Sequence, residues 1–235
     1  MKAGIMQPYL FPYIGYWQLI HAVDRFVLLD DVNYIMRGYI NRNSILLDGK
    51  PYRFTIPVKK ASQNKLIKEM ELDFDRSRKD KFLRTLCSAY KKADYYEAVM
   101  PVLEEIVNYE EESLTEFIRF SIARIMDYLQ IHTELSLSSE IKKKETLRGE
   151  ERIIEICKRL NVDTYVNPCG GRMLYDHSDF EREKLNLFFL DTQWEKVVYD
   201  QKQNMFTKNL SIIDVMMFND IRTIQMFLER YELHE

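Results

Sequence analysis

The sequence predicts an α/β fold with a mostly parallel, Rossmann-like sheet that is flanked by helices. Apolar runs such as 2–6, 25–30 and 186–191 have the length and composition of buried strands. Segments with helical periodicity separate these runs along the chain, as the crossover connections of a parallel sheet require. An Asp-Gly pair at 48–49 between two further apolar runs indicates an additional β-hairpin.

The N-terminal part of the chain predicts a first βαβ unit. Strand 2–6 ends at Gln7-Pro8, because proline cannot donate a hydrogen bond to a sheet. Pro12 suits the first turn of a helix, which the apolar spacing extends over 13–22. The run at 25–30 then forms the second strand and is apolar enough to be covered on both faces.

The middle of the chain predicts a hairpin followed by helices. The polar segment 59–75 is expected to be a loop with a short strand at its end. Ser113 and Glu116 have the spacing of a capping box. Apolar periodicity indicates three helices, at 77–92, 94–108 and 113–130. We therefore expect a single α/β domain over 1–235 with a helical insertion at about 76–131.

The last third of the chain returns to alternating strands and helices. The predicted strands are 132–139, 163–168 and 186–191, and the predicted helical segments are 145–160, 179–185, 210–217 and 219–232. Asn209 or Ser211 would cap the first of the two terminal helices. This alternation adds parallel strands to the first βαβ unit and so supports the predicted class.

Composition and charge exclude several kinds of protein. Hydrophobic residues make up 46% of the chain and charged residues 30%, which is typical of a globular protein. The net charge of −3 argues against a nucleic-acid partner, since such proteins carry a basic surplus. The lysines at 142–144 are expected to be a solvated face. A few local cations could still hold phosphates, so a nucleotide ligand stays compatible with the sequence.

The cysteines and apolar runs bear on the location of the protein. Cys87, Cys157 and Cys169 are far apart and have no metal-ligand spacing, which favours a reducing cytoplasm. The N-terminus lacks the apolar core and cleavage site of a signal peptide. No apolar run approaches the roughly 20 residues of a membrane span. We therefore expect a cytoplasmic protein without a membrane span.

Polar residues follow three of the predicted strands and indicate a ligand site. Ligands of open α/β sheets bind at the carboxyl ends of the strands, so these residues are expected to converge. They are Gln7, Asp30, Asp31, Asn167, Gly170 and Gly171.

The turn at 12–16 lies between a strand and a helix, where backbone N–H groups can bind an anion. In outline it resembles the His-x-Gly-His turn that holds ATP phosphates in nucleotidyltransferases. Tyr13 and Tyr16 would take the places of the two histidines, although neutral tyrosine stabilises charge less well. Alternatively, Gly15 simply allows the helix to pack closely on the sheet.

Two polar groups on either side of residue 35 are further candidates. Asp30 and Asp31 could bind a metal ion or sugar hydroxyls or supply a general base, or they could be a helix cap or a salt bridge. Arginine binds phosphate and carboxylate, and asparagine suits hydroxyls and amides. The residues concerned are Arg37, Asn41, Arg42 and Asn43, and the alternative for them is a solvated hairpin face.

Cys169 is the candidate nucleophile for acyl transfer, with His177 eight residues later as its candidate partner. Cys87 and Cys157 lie on apolar helical faces and are assigned to the core. Asp214 falls within an apolar stripe, so we expect it to be buried with a partner. The sequence has no His or Cys motif for a structural zinc site, and we predict no metal ligands.

Four segments resemble the WbqC-like protein family. They are MQPYLFPYIGYWQLI at 6–20, DDVNYIMRGYINRN at 30–43, NPCGG at 167–171 and LSIIDVMMFN at 210–219. The resemblance covers nearly the whole chain. It implies site or site-shaping roles for Gln7, Pro8, Pro12, Tyr13, Gly15, Tyr16, Asp30, Asp31, Arg37, Gly38, Asn41, Arg42, Asn43, Gly170, Gly171 and Asp214.

The resemblance also implies a role in bacterial surface polysaccharide, such as the O-antigen of lipopolysaccharide. The expected function is amide formation, for example glycyl transfer, on a nucleotide-linked amino sugar. A non-catalytic sugar-nucleotide-binding or accessory protein is one alternative, and adenylyl transfer from ATP is another. ATP with Mg²⁺ stays open as a cofactor, and a homo-oligomer stays open as an assembly.

Overall fold

The structure is a computed structural model, and it describes residues 1–203 and 205–235. The strands are β1 (Lys2–Met6), β2 (Arg25–Leu28), β3 (Arg42–Leu47), β4 (Lys50–Thr55), β5 (Glu134–Leu137), β6 (Thr164–Pro168), β7 (Asn186–Thr192) and β8 (Tyr231–His234). The helices are α1 (Ile14–Ala22), α2 (Arg76–Tyr90), α3 (Tyr96–Asn108), α4 (Leu114–Leu129), α5 (Gly149–Arg159), α6 (His177–Arg182), α7 (Ile212–Phe218) and α8 (Ile221–Leu228).

Six strands form one sheet in the order β5-β2-β1-β6-β7-β8. The first five strands of this order are parallel, and β8 pairs antiparallel with β7. The remaining two strands, β3 and β4, form a separate antiparallel hairpin. The predicted α/β class, with a mostly parallel sheet and an added hairpin, is confirmed.

The central strands are apolar on both faces because both faces of the sheet are covered. In β2, Phe26 and Leu28 pack into one core, while Val27 packs into the other. Ala3 and Ile5 of β1 lie on the same side as Val27. This alternation explains why the strands appear in the sequence as continuous apolar runs.

Helices cover the two faces unequally. Residues of α5 and α6 form the smaller core with one face of the sheet. Residues of α1, α8, the hairpin and α2–α4 form the larger core with the other face.

Helix α1 is buried almost all round, and its polar residues are fixed by hydrogen bonds. Trp17 donates from Nε1 to the Pro12 carbonyl over 3.0 Å. Gln18 donates to the carbonyls of Phe227 and Arg230 over 2.8 and 2.9 Å, which satisfies acceptors at the end of α8. A buried glutamine thus connects the first and last helices of the fold.

The Asp-Gly hairpin is confirmed. Asp48 and Gly49 both have positive φ values, 50° and 70°. Such backbone is typical of the tight turns that match the twist of two antiparallel strands, and glycine adopts it without a steric cost.

Three predicted elements differ most from the structure, and the helix predicted at 145–160 begins only at Gly149. The segment 219–232 was predicted to be helical throughout. In the structure the helix ends at Leu228, and Tyr231–His234 form the edge strand β8. Tyr231 and Leu233 pack against the larger core. In the sequence, two apolar residues that alternate with polar ones are too few to distinguish a strand from the end of a helix. The strand at 132–139 contracts to Glu134–Leu137. Residues 59–75 form isolated bridges at Leu72 and its neighbours, in place of a strand.

Candidate functional site

The sheet has a topological switch point between β1 and β6. From β1 the chain adds β2 and β5 on one side and then returns to add β6 and β7 on the other. The loops after β1 and β6 therefore diverge and leave a crevice at the carboxyl edge, where ligands of such sheets bind. The ends of β2, β1 and β6 lie side by side at this edge, because the three strands are parallel neighbours.

An aromatic cavity of about 140 Å³ opens beside this crevice, and Tyr9, Tyr13 and Tyr39 line it. The Tyr9 and Tyr39 ring centroids are 6.0 Å apart, and Tyr13 stacks on Trp194 at 6.4 Å. None of the three phenol groups has a hydrogen-bond partner among residues 1–203 and 205–235. Burial is the main reason why the pKa values of Tyr9 and Tyr13 are raised, so both phenols are neutral near pH 7.

The structure places only one of the two tyrosines of the predicted phosphate turn at the cavity. Tyr16 is fully buried, and its hydroxyl donates to the Gln7 carbonyl over 2.9 Å. A methyl group at Gly15 would lie 2.5 Å from the Tyr13 ring, so the glycine is needed for this ring to cover the start of α1. The Tyr13 ring therefore lies against Gly15 in the first turn of α1. The Gln7 side chain is half-buried and lies next to Pro8 at the end of β1.

Cys169 begins the 3₁₀ helix Cys169–Leu174 at the end of β6 and is half-buried. Its pKa is raised by burial and by the nearby Asp191 carboxylate, against a smaller opposite effect of Arg172. The Cys169 side chain packs against the smaller core, whereas Tyr13 packs against the larger one. A raised pKa keeps the thiol protonated, whereas reactive thiols have a lowered pKa.

His177, the predicted partner of Cys169, lies at the start of α6. Its ring packs edge-on against Phe189 with the centroids 5.8 Å apart. The charged groups that shift the pKa of the thiol are instead Asp191 and Arg172. The strand register, which pairs Pro168 with Leu190, places Cys169 beside Asp191. Within residues 1–203 and 205–235 no hydrogen bond joins the thiol to the His177 imidazole, and their pairing stays a prediction.

The NPCGG segment is shaped by Asn167. This side chain is buried, accepts a hydrogen bond from the Tyr165 hydroxyl over 3.0 Å and donates to the Pro168 carbonyl over 3.2 Å. A methyl group at Gly171 would lie 2.1 Å from Asn167 Nδ2, whereas one at Gly170 would meet nothing within 4 Å. Gly171 is thus required for packing, and Gly170 leaves open space at the crevice.

Asp30 and Asp31 lie beyond β2, which ends at Leu28. Asp30 is only 1% exposed and accepts hydrogen bonds from Ser139 N over 2.9 Å and Ser139 Oγ over 2.6 Å. Asp31 accepts from Ser138 Oγ over 2.8 Å. The two aspartates therefore join the end of β2 to the turn that follows β5.

Asp31 also lies in a buried cluster of charges. Lys143 Nζ is 2.7 Å from Asp31 Oδ2, and the Arg152 guanidinium donates to the Asp31 carbonyl over 2.7 Å. The Lys143 side chain is only 5% exposed, so the prediction of a solvated face at 142–144 is wrong for this residue. The sequence pattern could not show this, because the counter-charge is more than a hundred residues away.

The pKa values of the two aspartates move in opposite directions. Burial is the largest effect on Asp30 and raises its pKa, in spite of the hydrogen bonds from Ser139. Burial would also raise the pKa of Asp31, but hydrogen bonds from Lys143 and Ser138 and the charges of Lys143 and Arg152 lower it below its ordinary value. Asp31 is therefore a stable anion near pH 7.

Two of the predicted asparagines hold the loops around the aromatic cavity. Asn43 donates to the carbonyls of Leu10 and Phe11 over 3.1 and 2.8 Å. Asn41 is buried and donates to the Ile56 carbonyl over 2.8 Å. These amides fix the path of the backbone, and Asn43 also lines the cavity.

The two predicted arginines are less constrained. Arg42 donates from Nε to the Gly38 carbonyl over 2.8 Å. Arg37 is exposed and has a φ of 62°, which belongs to the left-handed region that side chains other than glycine seldom adopt. Arg37 is thus the more accessible cation of the pair.

Sequence reasoning missed several residues that the structure places at the crevice. Tyr9 and Tyr39 belong to the segments that carry the family resemblance, and their aromatic type was the available signal. Asp191 lies near the end of β7, in the same position that drew attention to Asp30. Trp194 could not be found, since only the fold brings it against Tyr13.

Asp214 is fully buried with partners, as predicted. Its carboxylate accepts hydrogen bonds from the hydroxyls of Tyr90 and Tyr199 over 2.8 and 2.7 Å and from Gln201 Nε2 over 2.9 Å. Burial raises its pKa, and the three donors act in the opposite direction. This network joins α2, α7 and the loop before α7.

The described residues contain neither a cluster of metal-binding side chains nor a helix that could cross a membrane. Nowhere in residues 1–203 and 205–235 do three His, Cys, Asp or Glu side chains group closely enough to bind a metal ion. Every helix in the same residues is too short or too polar to span a lipid bilayer.

Comparison with known proteins gives a family and one relative. The chain is 28% identical over 218 residues to the uncharacterized protein Rv1507c of Mycobacterium tuberculosis (strain ATCC 25618 / H37Rv), with 92% of each chain covered. No solved structure matches the chain significantly. The model of the WbqC-like protein family matches residues 7–226, which include the loops after β1 and β6 on either side of the crevice. By this match over most of its length, the chain belongs to the WbqC-like protein family.

Proposed function

We propose that this protein transfers an acyl or aminoacyl group, such as glycyl, to the amine of a nucleotide-linked amino sugar during the synthesis of bacterial surface polysaccharide. One observation supports the proposal: a cavity lined by three tyrosines opens after β1 at the carboxyl edge of the sheet, and Cys169 and Asp191 lie at the ends of β6 and β7 on the same edge. The implied role of the family in surface polysaccharide supports the choice of a sugar nucleotide.

The aromatic cavity suits a sugar ring. Tyr9, Tyr13 and Tyr39 offer apolar ring faces together with hydroxyl groups that can donate to or accept from sugar hydroxyls. The neutrality of Tyr9 and Tyr13 matters, because an ionised phenol could only accept hydrogen bonds. At about 140 Å³ the cavity has room for a sugar ring rather than a whole nucleotide.

The chemical step is an attack of the sugar amine on the carbonyl carbon of the activated acyl donor. The new C–N bond forms, the bond to the leaving group breaks, and the amine gives up a proton. Asp191 is exposed at the end of β7, close to Cys169, and is our candidate for the proton acceptor. Since the Cys169 thiol is protonated, we assign it to binding rather than to a covalent intermediate.

The test is to incubate the full chain with a dTDP- or UDP-linked amino sugar and either a glycyl thioester or glycine with ATP and Mg²⁺. Mass spectrometry should show a glycylated sugar nucleotide. Asp191→Asn should lower kcat at least a hundredfold, while Cys169→Ser should retain activity within tenfold. Cys87→Ser is the matched control for the thiol.

Tyr13→Ala should raise KM for the amino sugar at least tenfold, because it removes a ring from the cavity wall. Tyr52→Ala, at an exposed tyrosine of the hairpin, should leave KM unchanged. If Cys169→Ser abolishes turnover, a covalent acyl-enzyme replaces the direct transfer. The absence of product with every donor would contradict the proposed reaction.

A binding function without turnover is the second candidate. It is favoured by the structural hydrogen bonds that hold several predicted site residues, among them Tyr16, Asp30, Asn41 and Asn167. Calorimetric binding of the sugar nucleotide without any product would identify this function. Release of pyrophosphate from ATP that depends on Mg²⁺ would instead identify adenylyl transfer.

A further inference from the structure

A second cavity, of about 440 Å³, lies on the same edge of the sheet, at the carboxyl ends of β2 and β5. Its wall is formed by the residues after β2, the loop between β5 and α5, and the 3₁₀ helix Ile67–Glu69. The Lys68 amide donates to the Asp30 carbonyl over 2.9 Å, which fixes this 3₁₀ helix beside the end of β2.

The wall of this cavity is strongly basic. Five basic side chains line it, namely Lys68, Lys142, Lys143, Arg148 and Arg152, against two acidic ones, Asp31 and Glu145. The chain as a whole has a net charge of −3, so this local surplus is opposite in sign to the average of the molecule. A basic concavity with low-dielectric walls concentrates the field and attracts anions.

Part of the charge is fixed in place before any ligand arrives. Lys143 bonds to the Asp31 carboxylate, and Arg152 donates to the Asp31 carbonyl over 2.7 Å and from Nε to the Leu147 carbonyl over 3.0 Å. The Lys143 and Arg152 side chains are 5% and 7% exposed. Asp31 therefore orients two buried cations, which is a positioning role.

The remaining charge can adapt to a ligand. Lys68 and Lys142 are exposed, and within the described residues neither ammonium group takes part in an ion pair. Because lysine side chains are flexible, Lys68 and Lys142 can adjust their ammonium groups to the oxygens of an anion that is bound next to the fixed cations. The surplus of three positive charges matches two linked phosphates better than a single carboxylate.

We propose that this cavity binds the diphosphate group of a nucleotide-linked ligand. In the sheet order, the β5–β2 crevice is two strand spacings, about 10 Å, from the β1–β6 crevice. A sugar in the aromatic cavity and its diphosphate in the basic cavity would lie along one edge of the sheet. The sugar end of this arrangement rests on the proposed function, and the diphosphate site itself does not.

The experiment is calorimetric titration of the full chain with inorganic pyrophosphate, with a UDP-linked sugar and with ATP as separate arms. We expect pyrophosphate to bind, and Lys68→Ala/Lys142→Ala to weaken binding at least tenfold. Both lysines are exposed, so the variant keeps the buried charge cluster. Lys91→Ala/Lys92→Ala, at another lysine-lined cavity, is the matched control and should leave the affinity unchanged.

The titrations distinguish failure of the diphosphate site from failure of the proposed acyl transfer. No binding of pyrophosphate, or equal affinity in the wild type and Lys68→Ala/Lys142→Ala, overturns the diphosphate site even if an amide product forms. Binding of pyrophosphate that this variant weakens supports the site even if no product forms with any donor. The arm that binds more tightly, UDP-linked sugar or ATP, identifies the source of the diphosphate.

Discussion

Asp30 and Asp31 are adjacent in the chain, but their surroundings give them opposite effects on stability as the pH changes. The pKa of Asp31 is lowered, so its ion pairs stabilise the folded protein above the unfolded pKa of about 3.9 and are lost as the pH falls through the lower folded value. The pKa of Asp30 is raised by burial, so the folded state takes up its proton first, and stability rises as the pH falls towards about 3.9.

We therefore expect Asp31→Asn and Asp30→Asn to change the acid limb of the stability curve in opposite directions. Asp31→Asn should reduce the loss of stability between pH 6 and pH 3, and Asp30→Asn should increase it. At pH 7, Asp31→Asn should cost about 3 kcal/mol, because Lys143 and Arg152 lose their buried counter-charge. Urea titrations at a series of pH values measure both effects. The same dependence of the free energy of unfolding on pH in the two variants would contradict the assignment.

The chemistry of single residues was only partly predictable from the sequence. The position of Asp30, Asp31 and Asn167 at strand ends followed from the apolar runs before them. Whether each side chain faces a ligand or a neighbouring backbone depends on distant partners such as Ser139 and Lys143. No local pattern contains those partners, so the roles could not be assigned in advance.

At the scale of elements, the 3₁₀ helix Cys169–Leu174 forms the wall of the crevice on the β6 side, and two adjacent glycines contribute differently to this wall. Because Gly171 has no side chain, the Asn167 amide can lie against it. This amide accepts a hydrogen bond from the Tyr165 hydroxyl and donates one to the Pro168 carbonyl. Gly170 has open space in the direction of a side chain. The pair therefore offers a matched test of how this wall is held.

Gly171→Ala should destabilise the protein by about 1–3 kcal/mol, because the new methyl group displaces Asn167 from a buried position. Gly170→Ala should be nearly neutral. Thermal unfolding measures the difference, and acyl-transfer assays should show a loss of activity for the first variant alone. A larger loss of stability for Gly170→Ala would contradict this account of the wall.

The elements that the sequence predicted best were those with strong periodicity or a defined turn. The Asp-Gly hairpin and α4, where Ser113 caps Glu116 N over 3.4 Å, are examples. The edge strand β8 was missed because its four residues directly follow a helix. It pairs with β7 on one side only, so few apolar residues mark it.

At the scale of the whole molecule, the order of strands decides which loops can form one site. The sequence predicted parallel strands but not the order that places β1 between β2 and β6. This order depends on the crossover connections and on which helix packs on which face, and these are long-range contacts. It brings the aromatic and basic cavities to the same edge, although their residues come from distant parts of the chain.

The larger core also bears on whether the helices α2–α4 are a separate unit. Leu86, Leu103 and Phe117 of these helices belong to the same buried cluster as Trp17 of α1 and Leu28 of β2. The Tyr90–Asp214 hydrogen bond adds a buried polar link to α7. Elements that share one core lose their packing together, so we propose that residues 1–235 form one cooperative domain.

We accordingly expect a single unfolding transition in urea. Hydrogen exchange should report the same midpoint for the amides of α2–α4 and for those of β1 and β6, because neither set can open without exposing the shared core. Leu103→Ala, deep in α3, should lower both midpoints equally, since a cavity there costs about 2–5 kcal/mol of the stability of the whole unit. An exposed substitution on the same helix, Glu104→Ala, is the control and should shift neither. If α2–α4 lose protection at a lower urea concentration than the sheet, they are an insertion that folds independently, and the crevice could keep its geometry without them.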